Sequence, residues 1–113
     1  MSIAFLNDSY IPITEAKISP LDRGFLFGDG IYEVIPSYQG KLLGFKAHID
    51  RMLDGLSGIG LKLNWSHSDW QDMCEKLAIE NGNGNLGIYL QVSRGADIKR
   101  YHAFPEAVSP TVF

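Results

Sequence analysis

At 113 residues, 45% hydrophobic and 20% charged, the chain has the length and composition of one soluble globular domain. A formal net charge of −3 supplies no basic field, which argues against nucleic acid or an anionic membrane as partner. Cys74 is the single cysteine, so no internal disulfide can form; with neither a signal-peptide pattern nor an apolar run long enough to span a bilayer, a cytoplasmic setting is expected.

Ile3 to Leu6 and Tyr10 to Ile13 read as two short strands joined at Asn7-Asp8-Ser9, residues whose side chains bond local backbone and favour turns. Asp22 to Gly30 is punctuated by Gly24, Gly28 and Gly30 and reads as a turn feeding straight into a strand. From Ile31 to Tyr38 the residues alternate, with Ile31, Glu33, Ile35 and Ser37 on one face and Tyr32, Val34, Pro36 and Tyr38 on the other. Pro36 has no N–H, which suggests an edge position or a bulge. Gln39-Gly40-Lys41 then turns the chain into a returning strand at Leu42-Leu43-Gly44-Phe45.

Between Lys46 and Ile59 the apolar residues Ile49, Met52, Leu53, Leu56 and Ile59 recur at helical spacing, with Gly58 and Gly60 near the end. A second helix is predicted from Ser66, which caps the backbone with Asp69 three residues on, and its buried stripe is Trp70, Met73 and Leu77. Asn81-Gly82-Asn83-Gly84-Asn85 ends it through residues that tolerate left-handed backbone. Leu86 to Gly95 alternates as a strand, Ala96 to Pro105 is a loop, and Ala107 to Phe113 reads as a last strand. That strand stops without a polar tail or terminating signal, as at a truncated boundary. The pattern predicts an α+β fold, a mostly antiparallel sheet from the segments at Ile3, Tyr10, Ile31, Leu42, Leu86 and Ala107 with two helices packed on one face.

Tyr32 follows the Gly28-Asp29-Gly30 turn, where its phenol could donate to a carboxylate; the residue type equally describes a strand aromatic with its hydroxyl at the surface. Gly28-x-Gly30 begins like a dinucleotide fingerprint, but no third glycine follows and a strand comes next, so that motif is rejected. Arg100 and His102 stand two apart in an extended loop, where both can face one anion, although a solvated loop would have the same composition. Arg51 lies one step off the apolar stripe of its helix, suiting either a phosphate or an ion pair with a neighbour such as Asp54. His48, Asp50 and His67 lack the further ligands of a metal site, and Cys74 fits a buried structural thiol.

The blocks Asp22-Arg23-Gly24, Phe27-Gly28-Asp29-Gly30-Ile31-Tyr32-Glu33-Val34, His48-Ile49-Asp50-Arg51, Arg94-Gly95, Arg100-Tyr101-His102 and Phe104-Pro105-Glu106 together resemble, in order and spacing, the small N-terminal domain of fold-type IV (class IV) pyridoxal-phosphate-dependent aminotransferases. The D-amino-acid transaminases are the most similar branch. Branched-chain aminotransferases lack the Arg-x-His pair, and aminodeoxychorismate lyases lack both it and the Tyr-Glu-Val continuation.

The resemblance implies that residues 1–113 are the N-terminal domain of an enzyme exchanging the amino group between a D-amino acid and a 2-oxo acid. It implies that Arg51 binds the phosphate of pyridoxal 5'-phosphate. It also implies that Tyr32, Arg100 and His102 trap the substrate α-carboxylate, the latter two reaching in from the partner subunit of a homodimer. The lysine that forms the internal Schiff base belongs to the C-terminal domain of such enzymes. None of Lys17, Lys41, Lys46, Lys62, Lys76 and Lys99 matches it, so the 113 residues alone are expected to be inactive, not to retain the cofactor, and to expose the apolar surface that meets the larger domain. A complete chain of this length would instead be a non-catalytic carboxylate-binding or dimerisation module.

Overall fold

The computed structural model describes residues 2–105 and 108–113. Strands β1 (Ile3–Leu6) and β2 (Ser9–Pro12) form a hairpin, followed by a single 3-10 turn at Ile13–Glu15. A five-residue helix, α1 (Arg23–Phe27), precedes strand β3 (Gly30–Tyr38) and its short return β4 (Lys41–Leu42). Helices α2 (Phe45–Gly58) and α3 (His67–Glu80) come next, then strands β5 (Asn85–Ser93) and β6 (Thr111–Val112).

The predicted α+β class holds, with all pairings antiparallel, but the strands divide into the β1–β2 hairpin and a four-stranded sheet of order β4-β3-β5-β6. The backbone N–H of Asn7 donates to the Val112 carbonyl (2.7 Å) and the Val112 N–H donates to Asn7 Oδ1 (3.0 Å), tying the hairpin to β6. The predicted start of the last strand at Ala107, and Glu106 of the last motif block, lie outside the described residues.

The sheet is built on β3 and β5, which pair from Gly30 opposite Ser93 to Tyr38 opposite Asn85. Alternation puts Glu33, Ile35 and Ser37 on the helix side with Ile88, Leu90 and Val92, as the sequence predicts. Ile49, Met52 and Leu56 of α2 and Trp70, Met73, Cys74 and Ala78 of α3 close the core from that side. Each fully buried aliphatic or aromatic side chain there contributes roughly 1.5–3 kcal/mol. Burial also pushes the Cys74 thiol up to about 12, so it is inert at neutral pH. The other face of the sheet leaves Tyr32, Val34, Tyr38 and Tyr89 exposed.

Pro36 is not on an edge: β3 is internal, between β4 and β5. The Pro36 carbonyl accepts from Leu43 N–H at 2.9 Å, so its missing donor falls on the β4 side, where the two-residue β4 has already ended. The return is correspondingly shorter than predicted, and Gly44 caps α2. Gln39 and Gly40, both at positive φ (52° and 82°), make the two-residue turn whose twist suits an antiparallel pair.

At α3 the predicted capping box is complete: Ser66 Oγ accepts from Asp69 N–H (3.1 Å) and Ser66 N–H donates to Asp69 Oδ2 (2.8 Å). The left-handed residues that end α3 are Gly82 and Asn83. Asn81 instead bonds the β1 backbone at Ile3 through both its amide atoms, at 2.9 and 3.0 Å. Among the described residues, no helix is long and apolar enough to cross a membrane.

Candidate active site

The glycine-punctuated stretch holds more than a turn. Asp22 caps α1, with Oδ1 accepting from Gly24 N–H (2.8 Å) and from Ser93 Oγ (2.7 Å), and Oδ2 accepting from Thr111 Oγ1 (2.6 Å). One buried carboxylate thus fastens α1 to β5 and β6. Gly28 ends α1 in the left-handed conformation (φ 65°). Gly30 has no room for a side chain, because a Cβ would lie 2.7 Å from the Val92 carbonyl oxygen. The close backbone approach at that glycine is therefore to the chain's own β5.

Arg23 follows Asp22 and is buried, at 3% exposure. Its Nε donates to Asp29 Oδ2 (2.9 Å), and Arg94 Nε donates to the same oxygen (2.7 Å). Burial works to raise the Asp29 carboxyl, but hydrogen bonds from Arg94 and then Arg23 outweigh it and hold the group below its ordinary value. The free end of the Arg23 guanidinium reaches the predicted substrate loop: Nη1 donates to the Tyr101 (2.5 Å) and Ala103 (3.4 Å) carbonyls and Nη2 to the His102 carbonyl (3.2 Å). In that loop the exposed side chains of Arg100 and His102 meet on one aromatic ring, Phe27, at 5.0 and 4.9 Å from its centroid. Phe27 is thus the side chain that both residues of the pair touch.

Tyr32 lies on the open face of β3, 65% exposed, stacked on Tyr89 at 5.8 Å. Among the described residues, no hydrogen bond or ring contact joins it to Arg100 or His102. Arg51 lies on the opposite side of the sheet, and its partner is Glu33 rather than the expected Asp54: Nε donates to Glu33 Oε2 and Nη2 to Oε1, both at 2.7 Å. His48 Nδ1 is also 2.7 Å from Oε1. The Arg51 hydrogen bonds, opposed by burial and helped by His48, lower the Glu33 carboxyl to about 2. His67 hydrogen-bonds Asp50 at 2.7 Å on the surface.

Glu33 and Arg23 are absent from the sequence-derived site. Glu33 had a signal, since it is the one charge on the otherwise apolar and hydroxyl face Ile31, Ile35 and Ser37; a carboxylate placed there needs a cationic partner. Arg23 had none beyond its motif block, because its partners lie between 6 and 80 residues away in sequence.

Among the described residues, Arg51 has an open guanidinium edge that would fit a phosphate. Its side chain is 72% exposed, Glu33 fixes the Nε and Nη2 edge, and Nη1 carries no hydrogen bond among the described residues.

The amino-transferase class IV family profile matches residues 30–113, and the chain belongs to this family, whose cofactor is pyridoxal 5'-phosphate. Over 105 residues it is 43% identical to a D-alanine aminotransferase of Staphylococcus epidermidis, an alignment that takes in 93% of this chain and 37% of that protein. The chain thus spans little more than a third of the length of that relative. A branched-chain aminotransferase from the thermophilic archaeon Thermoproteus uzoniensis, solved with norvaline, matches 98% of this chain and 38% of its own with a TM-score of 0.83 at 19% identity, which shows a shared fold. A 4-amino-4-deoxychorismate lyase from Pseudomonas aeruginosa matches 86% of this chain and 34% of its own, with a TM-score of 0.67 at 28% identity.

Proposed function

We propose that residues 1–113 form the small N-terminal domain of a transaminase that exchanges an amino group between a D-amino acid and a 2-oxo acid. The observation that carries this reading is the convergence of Arg100 and His102 on Phe27, in a chain 43% identical to a D-alanine aminotransferase. Two basic side chains that touch one aromatic ring offer the kind of donors that an α-carboxylate accepts. The Arg-x-His pair also favours the D-amino-acid branch over the branched-chain aminotransferases and aminodeoxychorismate lyases, the alternatives within the same fold.

When bound, pyridoxal phosphate supplies the electron sink of the reaction. Arg51 holds its phosphate, and Glu33 fixes the direction of that guanidinium. Tyr32, Arg100 and His102 hold the substrate carboxylate, and the fixed carboxylate decides which face presents its Cα–H bond for proton removal. Arg100 and His102 serve the site of the partner subunit in a homodimer, as the family resemblance implies. The catalytic lysine belongs to the C-terminal domain of the same polypeptide, so the 113 residues alone are inactive and do not keep the cofactor. A cytoplasmic location fits a chain whose single cysteine can form no internal disulfide.

In the full-length enzyme, Arg100→Ala is expected to raise KM for D-alanine by roughly 10- to 150-fold, the equivalent of the ~1.5–3 kcal/mol of a charge-assisted hydrogen bond. Unchanged kinetics would remove the carboxylate trap.

A further inference from the structure

We infer that Arg23, backed by Asp29 and Arg94, is the positioning residue that shapes the Arg100–His102 loop for carboxylate binding; this rests on the trap reading above. A guanidinium at 3% exposure is costly to bury, and one carboxylate shared with Arg94 satisfies only its Nε edge. The remaining two nitrogens face the carbonyls of Tyr101, His102 and Ala103. Three successive carbonyls turned toward one cation require the backbone to curl around it, a shape that an extended sheet ladder does not provide.

Among the described residues, the start of the loop is tied by Ala96 pairing with Asp22 and Asp97 N–H donating to the Leu21 carbonyl, and little else holds the stretch around Tyr101. Ile98, Tyr101 and Phe104 are 90%, 57% and 69% exposed, so their burial contributes little order. The grip is reinforced from outside the loop: Arg94 binds Asp29 through both Nε and Nη2, donates to the Ile59 carbonyl at 2.7 Å and lies over Phe104 at 4.4 Å. Arg23 also sits 4.9 Å from the Phe27 ring on which Arg100 and His102 rest. One buried side chain thus contacts both the backbone of the loop and the ring that its two basic groups touch. Lysine at this position keeps a charge for Asp29 but cannot fork across three carbonyls.

The test uses the full-length enzyme carrying Arg23→Gln or Arg23→Lys. It combines steady-state kinetics with D-alanine, trypsin cleavage after the exposed Lys99 and Arg100, and thermal unfolding. The expected result is a KM for D-alanine raised roughly tenfold or more with kcat within about threefold, together with loop cleavage about tenfold faster at a nearly unchanged unfolding temperature. Where Arg23→Gln does not accumulate as folded protein, Arg23→Lys carries the test. Unchanged KM and cleavage overturn the inference. A fall in kcat that tracks a lowered unfolding temperature overturns it too, because Arg23 would then be a general stability residue. Arg100→Ala in the same assay separates the two levels: if it leaves KM unchanged, the trap reading fails, and if it raises KM while the Arg23 variants do not, only the role of Arg23 fails.

Discussion

Glu33→Gln preserves the shape of the side chain while removing the charge that receives two Arg51 hydrogen bonds and the His48 contact, all at 2.7 Å. The Glu33 carboxyl is lowered from an ordinary 4.5 to about 2. Taken in full, that corresponds to roughly 3 kcal/mol. The Arg51 side chain is 72% exposed, so solvent screens the pair and the expected loss at neutral pH is about 1–2 kcal/mol. A carboxyl whose folded-state value is depressed stabilises the fold above its unfolded value and loses that contribution as pH falls through the folded value. The difference between wild type and variant should therefore be complete above about 4.5 and shrink as pH drops toward 2. Urea unfolding of the chain, followed through the fluorescence of the buried Trp70, measures it at neutral pH and near pH 2.5. A variant as stable as wild type at neutral pH, or a deficit that does not change with pH, would refute the ion pair as the source.

Gly95→Ala is expected to cost roughly 3 kcal/mol or more, since φ is +108° and the added Cβ would collide with the Ser109 carbonyl oxygen; a urea midpoint close to wild type would contradict that packing. Ser66→Ala removes the hydroxyl half of the α3 capping box and should lower stability by about 1 kcal/mol, read from the same unfolding curves. Cys74 should react with a thiol reagent only as fast as the chain unfolds, given a thiol raised to about 12 by burial, and rapid labelling of the folded chain would place it elsewhere.

The parts of the fold that sequence made legible are those with a repeating local signal. The alternation of Ile31 to Tyr38 assigned the faces of β3 correctly, and Ser66 with Asp69 marked the start of α3. Helix α1 has five residues, too few for a 3.6-residue period to show, and it depends on Asp22 meeting Ser93 and Thr111, 71 and 89 positions away. The split into two sheets was equally hidden, because pairing partners are a property of the whole topology. Arg100 and His102 both touch Phe27, but in a loop curled around Arg23 rather than in the extended segment their spacing suggested. The cluster of Arg23, Asp29 and Arg94 was not legible: the three are ordinary surface residues by composition and come together, with Arg23 buried, only when the end of β5 brings Arg94 beside Asp29. Pro36 shows a local rule applied without its context, since a missing donor on an internal strand is harmless where the neighbouring strand has ended.

Use of D-amino acids by the full-length enzyme is tested most directly by the stereochemistry of transfer. The full-length enzyme with pyridoxal phosphate would be given D-alanine or L-leucine as donor and a 2-oxo acid as acceptor, and the amino-acid product resolved on a chiral column. Consumption of D-alanine with formation of a D-amino acid is the predicted result. Consumption of the L-donor alone, or no transfer from either, would contradict it.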